Sequence, residues 1–182
     1  MSSEPRPLGV VHGRFQPFHN EHLSYVRLAA ARCEELIVGI TNPEPSSSAP
    51  EPTDTRRHLP EENPYSFWQR LLVVEAVLKA DGLTGRVVPF PISAPETLRH
   101  YVPAEATHFL RVFDGWGEEK VRRLEAHGYD VVVLEPGTGK TLTASAVRSA
   151  MRECGPWQEL VPPAAARLLK AFRDETDRRC PA

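Results

Sequence analysis

Leu8-Gly9-Val10-Val11-His12-Gly13-Arg14-Phe15-Gln16-Pro17-Phe18-His19-Asn20-Glu21-His22-Leu23 is the stretch on which the fold of this chain is decided. Residues 8–11 form a short apolar run, β-branched in part, that gives way to a glycine turn at Gly13, as a buried parallel strand does. Beyond the turn, Leu23, Val26, Leu28 and Ala30 recur at helical spacing across 21–32, and 35–41 (ELIVGIT) is a second buried run. Strand, turn, helix and strand together open a wound α/β sheet. The turn runs straight into a helix N-terminus, where unpaired N–H groups and the positive end of the dipole attract an anion. His19 and His22 are three apart, so on a first helical turn both rings face one way and can hold one phosphoryl group, with Arg14 adding charge.

Working outward, 42–63 carries Pro43, Pro45, Pro50, Pro52 and Pro60 with Ser46, Ser47 and Ser48, a composition in which no regular element is expected. Loops of that length are either lids over a site or insertions without a role, and both readings stay open. Helical spacing resumes over 64–79, with Pro64 in the first turn. Strands are expected at 86–91, 108–113 and 130–135, and a charged helix at 118–127 that Gly128 can cap. Residues 143–153 and 162–177 read as closing helices, the second with Ala165, Leu168, Leu169 and Phe172 on one face. Five strands alternating with helices predict a Rossmann-like, doubly wound, five-stranded parallel sheet with helices on both faces. It forms a single domain over 1–182 and ends in a C-terminal helix at 162–182, with the ligand crevice where the strand order reverses.

The charge balance is even: 22 Lys and Arg against 24 Asp and Glu give a net charge of -2, which leaves no basic field to hold nucleic acid. The start, 1–7, is polar, and no run approaches the roughly 20 apolar residues of a membrane span, so a cytoplasmic protein is expected. Cys33, Cys154 and Cys180 are odd in number and far apart, outside any metal-ligand spacing, and read as reduced thiols.

A second phosphate-handling element stands near the other end of the chain. Thr143 and Ser145 can cap the helix that follows them, and Arg148, one turn in, reaches an anion over that N-terminus. Between the last strand and this helix lies Pro136-Gly137-Thr138-Gly139-Lys140-Thr141, which imitates a P-loop. That motif needs a glycine five residues before Gly139, where this chain has Leu134. Lys140 is left as a further cation for a polyphosphate or as a solvated turn lysine.

The Gly13 to His22 string resembles the G-R-F-x-P-x-H-x-G-H signature of the nucleotidylyltransferase superfamily, and nearly the whole chain resembles the archaeal-type nicotinamide mononucleotide adenylyltransferases. Asn63-Pro64-Tyr65-Ser66-Phe67-Trp68-Gln69-Arg70 is similar to their N-P-[FY]-[ST]-x-x-E-R helix start. Leu142-Thr143-Ala144-Ser145-Ala146-Val147-Arg148 is similar to I-S-x-T-x-x-R, and Pro156-Trp157-Gln158-Glu159-Leu160-Val161-Pro162 to P-W-x-x-L-V-P. The resemblance implies transfer of a nucleoside monophosphate from a nucleoside triphosphate to a small acceptor, with release of pyrophosphate. It implies that Gly13, Arg14, Phe15, His19, His22, Thr143, Ser145 and Arg148 hold the triphosphate, and that Arg14, His19, His22 and Arg148 act in catalysis. It further implies Mg2+ bridging the phosphates without a dedicated protein cage, and a homo-oligomer.

Departures from that pattern bear on the substrates. Glu21 stands at the signature's glycine, either turned away from the phosphates or helping to position a metal ion. The Asn and Trp that grip nicotinamide in the adenylyltransferases fall at Pro95 or a neighbour and at Leu98, so a stacking platform for that ring is missing. Phe113-Asp114-Gly115-Trp116-Gly117-Glu118-Glu119-Lys120 resembles the G-D-D-W-x-G-K-F segment of small cytidylyltransferases, which puts Asp114 and Trp116 toward the base; the other reading of Trp116 is packing alone. Together these changes resemble the phosphonoformate cytidylyltransferases, which use CTP and a small phosphonate or phosphate acceptor in phosphonate biosynthesis. Arg56, Arg57, His58 and Arg70 are candidate contacts to the acceptor. The first three read equally as solvated loop charges, and Arg70 as the partner of a carboxylate. Nicotinamide mononucleotide adenylylation from ATP is the alternative, and a non-catalytic nucleotide sensor, suggested by Glu21, a second one.

Overall fold

The computed structural model describes residues 4–44, 55–56, 58–134 and 142–177. In chain order the elements are β1 (Arg6–Gly13), α1 (Asn20–Ala30), β2 (Cys33–Thr41), α2 (Phe67–Ala80), β3 (Arg86–Phe90), β4 (Thr107–Arg111), α3 (Gly115–Ala126), β5 (Asp130–Leu134), α4 (Ala144–Arg152) and α5 (Pro163–Asp177). The five strands are parallel and lie in the order β3-β2-β1-β4-β5. The chain therefore winds one way from β1 to β3, then returns to the other side of β1. A crevice opens at the carboxyl ends of the strands, between β1 and β4.

Alternation along each strand divides the core in two. Val11, Val38, Ile40 and Phe109 pack with Val26 and Ala29 of α1, Val74 and Val77 of α2, and Leu169 of α5. Their neighbours Val10, Ile37, Phe90 and Leu110 face the other way, against Leu98, Trp116 and Leu124. Both faces of the sheet are covered, which is why its central strands read as unbroken apolar runs. Pro89 sits in β3, which lies at the edge of the sheet, the kind of strand in which a proline is tolerated.

Local chemistry moved several boundaries from where periodicity puts them. α2 starts at Phe67 rather than Pro64, because Ser66 Oγ accepts from the Gln69 N–H at 3.2 Å and Gln69 Oε1 accepts from the Ser66 N–H at 3.0 Å. Glutamine at this N3 position still supplies the acceptor that a capping box needs. α3 starts at Gly115 rather than 118, since Asp114 Oδ1 accepts from the Gly117 N–H at 2.9 Å. β4 stops at Arg111, short of the expected 113, and hands Val112 and Phe113 to the approach of that cap. The 42–63 loop is not wholly irregular: Pro60–Glu62 is a 3-10 turn with Pro60 at its first position, where a missing N–H is harmless. A second 3-10 segment, Pro95–His100, had no signal in periodicity; it buries Leu98 against the sheet. Residues 45–54, Arg57, Lys140 with the rest of 135–141, and Cys180 lie outside the described residues. Cys33 and Cys154 are free thiols.

Candidate active site

The crevice is a cleft of about 920 Å³ lined from both ends of the chain: Arg14, His19 and His22 on one wall, Thr143, Ser145 and Arg148 on another. Gly13 and Phe15 line it as well. The turn between β1 and α1 is tightly packed. A Cβ on Gly13 would come within 2.7 Å of the Phe15 ring, and Phe15 itself is buried in a left-handed conformation at φ 52°. His19 caps α1 in an extended conformation, and its backbone N–H donates to His22 Nδ1 at 3.2 Å. The two rings stack with centroids 3.6 Å apart, and Phe15 presents itself edge-on to His22 at 5.0 Å. Nδ1 of His22 is thereby occupied as an acceptor, so a donor role toward a ligand falls to Nε2. Asn20 Nδ2 donates to the Glu159 carbonyl at 2.9 Å, which ties the start of α1 to the segment containing the buried Trp157.

Thr143 caps α4, its Oγ1 accepting from the Ala146 N–H at 3.1 Å. Arg148, only 6% exposed, donates from Nη1 to the Gln16 carbonyl at 2.6 Å and from Nη2 to Ser145 Oγ at 2.9 Å. Its Nη2 also pairs with the Glu62 carboxylate. The Ser145 hydroxyl donates to the same carboxylate at 3.3 Å, and Arg56 approaches it at 3.5 Å. Glu62 thus brings a single negative charge to the place where two guanidiniums and a hydroxyl converge, the donor set that suits a phosphate. Gln16 steadies this arrangement: its amide donates to the Tyr65 carbonyl at 2.8 Å and accepts from the Tyr65 N–H at 2.9 Å, fastening the turn to the approach of α2.

At the carboxyl end of β4 the cleft is lined by Arg111, Phe113, Asp114, Trp116 and Lys120, with Tyr25 below. Trp116 is 7% exposed and carries the Arg123 guanidinium over its ring at 5.0 Å, so it serves packing as well as the cleft wall. Tyr25 donates its hydroxyl to the Phe109 carbonyl, and burial pushes its phenol well above the usual range, which makes it a fixed donor and not a base. Glu21 lines the cleft too. A separate hollow of about 250 Å³ lies past the ends of β2 and β3, lined by Asn42, Pro91, Ser93 and Ala94.

Two of the residues expected at the acceptor are elsewhere. Arg70 is 4% exposed and outside the cleft lining; its guanidinium donates to the carbonyls of Arg14 at 3.0 Å, Thr41 at 2.7 Å, Asn42 at 2.7 Å and Ser66 at 3.3 Å. Its guanidinium is turned to the carbonyls where β1 and β2 end, away from the cleft lining. Burial, reinforced by the nearby charge of Arg14, pulls its pKa down to about 10. His58 does not line the cleft, whereas Arg56 does. The cleft also contains Glu62, Arg111, Lys120 and Arg152, which sequence did not single out. Arg152 was findable, four residues beyond Arg148 on the same helix face. Among the described residues no group of three or more His, Cys, Asp or Glu could hold a metal ion, and no helix is long and apolar enough to cross a membrane.

The chain is similar to several known proteins. The cytidylyltransferase-like family model matches residues 10–87. Phosphonoformate cytidylyltransferase of Streptomyces viridochromogenes is 47% identical over 165 residues, covering 89% of this chain and 90% of that protein. Nicotinamide-nucleotide adenylyltransferase of Ignicoccus hospitalis is 30% identical, covering 87% of this chain and 88% of the other. Among solved structures, a bifunctional NMN adenylyltransferase/ADP ribose pyrophosphatase from Francisella tularensis superposes with a TM-score of 0.69 at 19% identity. That match covers 93% of this chain and 50% of the other, so this chain corresponds to half of it in length. The same protein has been solved complexed with AMP and a manganese ion, at a TM-score of 0.65 and 18% identity over 92% of this chain and 49% of the other. A glycine turn entering a helix, a second capped helix across the cleft from it, and close identity across almost the full chain lead to one assignment: this chain belongs to the cytidylyltransferase-like family of nucleotidyltransferases.

Proposed function

We propose that the chain transfers a cytidylyl group from CTP to a small phosphonate or phosphate acceptor such as phosphonoformate, releasing pyrophosphate. The observation that carries this reading is the convergence of Arg14, His19, His22 and Arg148 on one cleft. An oxygen of the acceptor attacks the α-phosphorus in line, a new P–O bond forms, and the bond to the β-phosphate bridging oxygen breaks with its electron pair leaving on pyrophosphate. Such a reaction needs alignment and charge neutralisation more than covalent help. His22 and His19, stacked on each other at the start of α1, stabilise the equatorial oxygens of the transferred phosphoryl group. Arg14 neutralises charge from the turn, and Thr143, Ser145 and Arg148 receive the leaving pyrophosphate at the N-terminus of α4.

The described residues offer no three-ligand cage, so Mg2+ would arrive on the triphosphate with most of its waters and supply charge neutralisation on the leaving group. The carboxylates of Glu21, Asp114 and Glu61, which line the cleft, could reach those waters. A small acceptor is supported by Leu98, which is buried in the core where the adenylyltransferases carry a stacking Trp. Its anion would find Arg56 on the cleft wall. The same reading includes a cytoplasmic enzyme. Incubation with each of the four nucleoside triphosphates and with phosphonoformate, other small phosphonates and nicotinamide mononucleotide, scored by pyrophosphate release and product mass, tests it. CTP with a small phosphonate should react; turnover confined to ATP and nicotinamide mononucleotide refutes the substrate assignment.

A further inference from the structure

Arg111 ends β4 beside the point where the strand order reverses, and its side chain lines the cleft. Its Nε is buried without a hydrogen-bond partner, and the hydrogen bond its guanidinium makes among the described residues is a long one, from Nη2 to Ser24 Oγ at 3.4 Å. Arg70 and Arg148 are different: their donors are answered by carbonyls and a hydroxyl at 2.6 to 3.3 Å and, on Arg148, by the Glu62 carboxylate as well. A buried guanidinium N–H left without an acceptor is costly, and a native fold keeps one where a ligand completes it.

Arg111, Phe113 and Trp116 line the same cleft as Arg14, His19, His22 and Arg148; with the triphosphate on the latter four, as proposed above, the former are left for the base. A guanidinium presents a rigid fork of donors and no acceptor. On cytosine, O2 and N3 are adjacent acceptors in the ring plane and match that fork. On adenine each adjacent pair, N1 with N6 or N7 with N6, sets an acceptor beside an amino donor. Uracil sets its N3–H donor between the two carbonyls. Guanine offers a matching pair only on its O6/N7 edge. We propose that Arg111 reads the O2/N3 edge of cytosine and is the specificity-determining residue for the donor nucleotide. This inference rests on the nucleotide lying in the cleft as proposed.

The test compares kcat/KM for CTP, UTP, ATP and GTP in the wild type, Arg111→Met and Arg111→Lys, with 3-deaza-CTP, in which a C–H replaces N3, as a fifth donor. In Arg111→Met the ratio of kcat/KM for CTP over ATP should fall about 5- to 150-fold, the range for one bidentate base contact. Lysine keeps the charge but not the fork and should restore only part of the ratio. Wild type should use 3-deaza-CTP several-fold less well than CTP, and Arg111→Met should lose that difference. Equal losses on every donor, or a CTP to ATP ratio unchanged by either substitution, overturns the proposal. Equal use of CTP and 3-deaza-CTP by the wild type overturns it without any variant, so a substitution that fails to fold leaves the question decidable. A wild type that ignores CTP altogether refutes the donor assignment beneath it, an outcome read before any variant is made.

Discussion

Arg70→Met should cost the fold stability while touching neither substrate. The guanidinium lies between the Thr41 and Asn42 carbonyls at 2.7 Å each, on residues only 1% and 7% exposed, where water cannot take its place. Hydrogen bonds from a charged donor are worth about 1.5–3 kcal/mol each, so these two set a gross loss of about 3–6 kcal/mol. Relief from burying a cation, whose strain shows in a pKa pulled down to about 10, offsets part of that. A net loss of about 3 kcal/mol remains, at the low end for removing one partner of a buried charged contact. In a chain of this length each kcal/mol moves Tm by about 2–4 °C, so the midpoint should fall by about 6–12 °C. The turn at Arg14 loses its support in the same stroke, so kcat should decline for every donor and acceptor alike. Circular dichroism melts and steady-state kinetics on one preparation measure both. A melting midpoint within about 2 °C of wild type, with the acceptor KM alone raised, would show that Arg70 contacts substrate and that its carbonyl contacts are incidental.

Other substitutions separate the remaining roles. His22→Ala should lower kcat by about 10² to 10³, the loss expected for one transition-state donor, with the melting midpoint down by only about 2–6 °C for the lost cap on the His19 N–H; near-normal turnover rejects that role. Glu62→Gln removes the carboxylate that occupies Arg148 and Ser145 and should tighten triphosphate binding by about 3- to 10-fold, because a fixed negative charge on the cleft wall repels the incoming phosphates. Weaker binding, by titration calorimetry with a non-hydrolysable triphosphate, would mean instead that Glu62 holds Arg148 in its working pose. His108 is fully buried on β4 against Tyr129 and near His12, and burial outweighs the attraction of Asp130 to pull its pKa down to about 4. The unfolded chain therefore binds more protons than the native one below about pH 6.5, so stability is complete above that pH and is lost as pH falls toward 4, by up to about 3 kcal/mol. Denaturant melts of wild type and His108→Phe at pH 5 and 7.5 check this; the variant should lose most of the difference, and equal pH dependence in both refutes it.

How much of this was legible in the residues depends on what each feature responds to. Buried parallel strands respond to composition, so five apolar runs were countable in order. The Gly13 turn and the two histidines were legible because spacing alone puts them on one helix end. Arg70 and Arg148 show where legibility stops. Both follow a serine or threonine cap by about one turn, and both sit in motifs of the same family resemblance. The difference is that α2 presents Arg70 to the open carbonyls where β1 and β2 end, while α4 presents Arg148 to the cleft. Glu62 carried no signal either: it stands in a proline-rich stretch without periodicity, and its meaning comes from guanidiniums 6 and 86 positions away. Arg111 looked like the middle of a strand until β4 was found to stop there.

The bond from Arg148 to the Gln16 carbonyl spans 132 residues. The turn after β1 and the helix that faces it across the cleft therefore come from opposite ends of the chain and meet only in the completed fold. If the cleft holds a triphosphate as proposed, a chain stopped short of α4 would lack the wall that Thr143, Ser145 and Arg148 supply, and truncation there should abolish nucleotide capture.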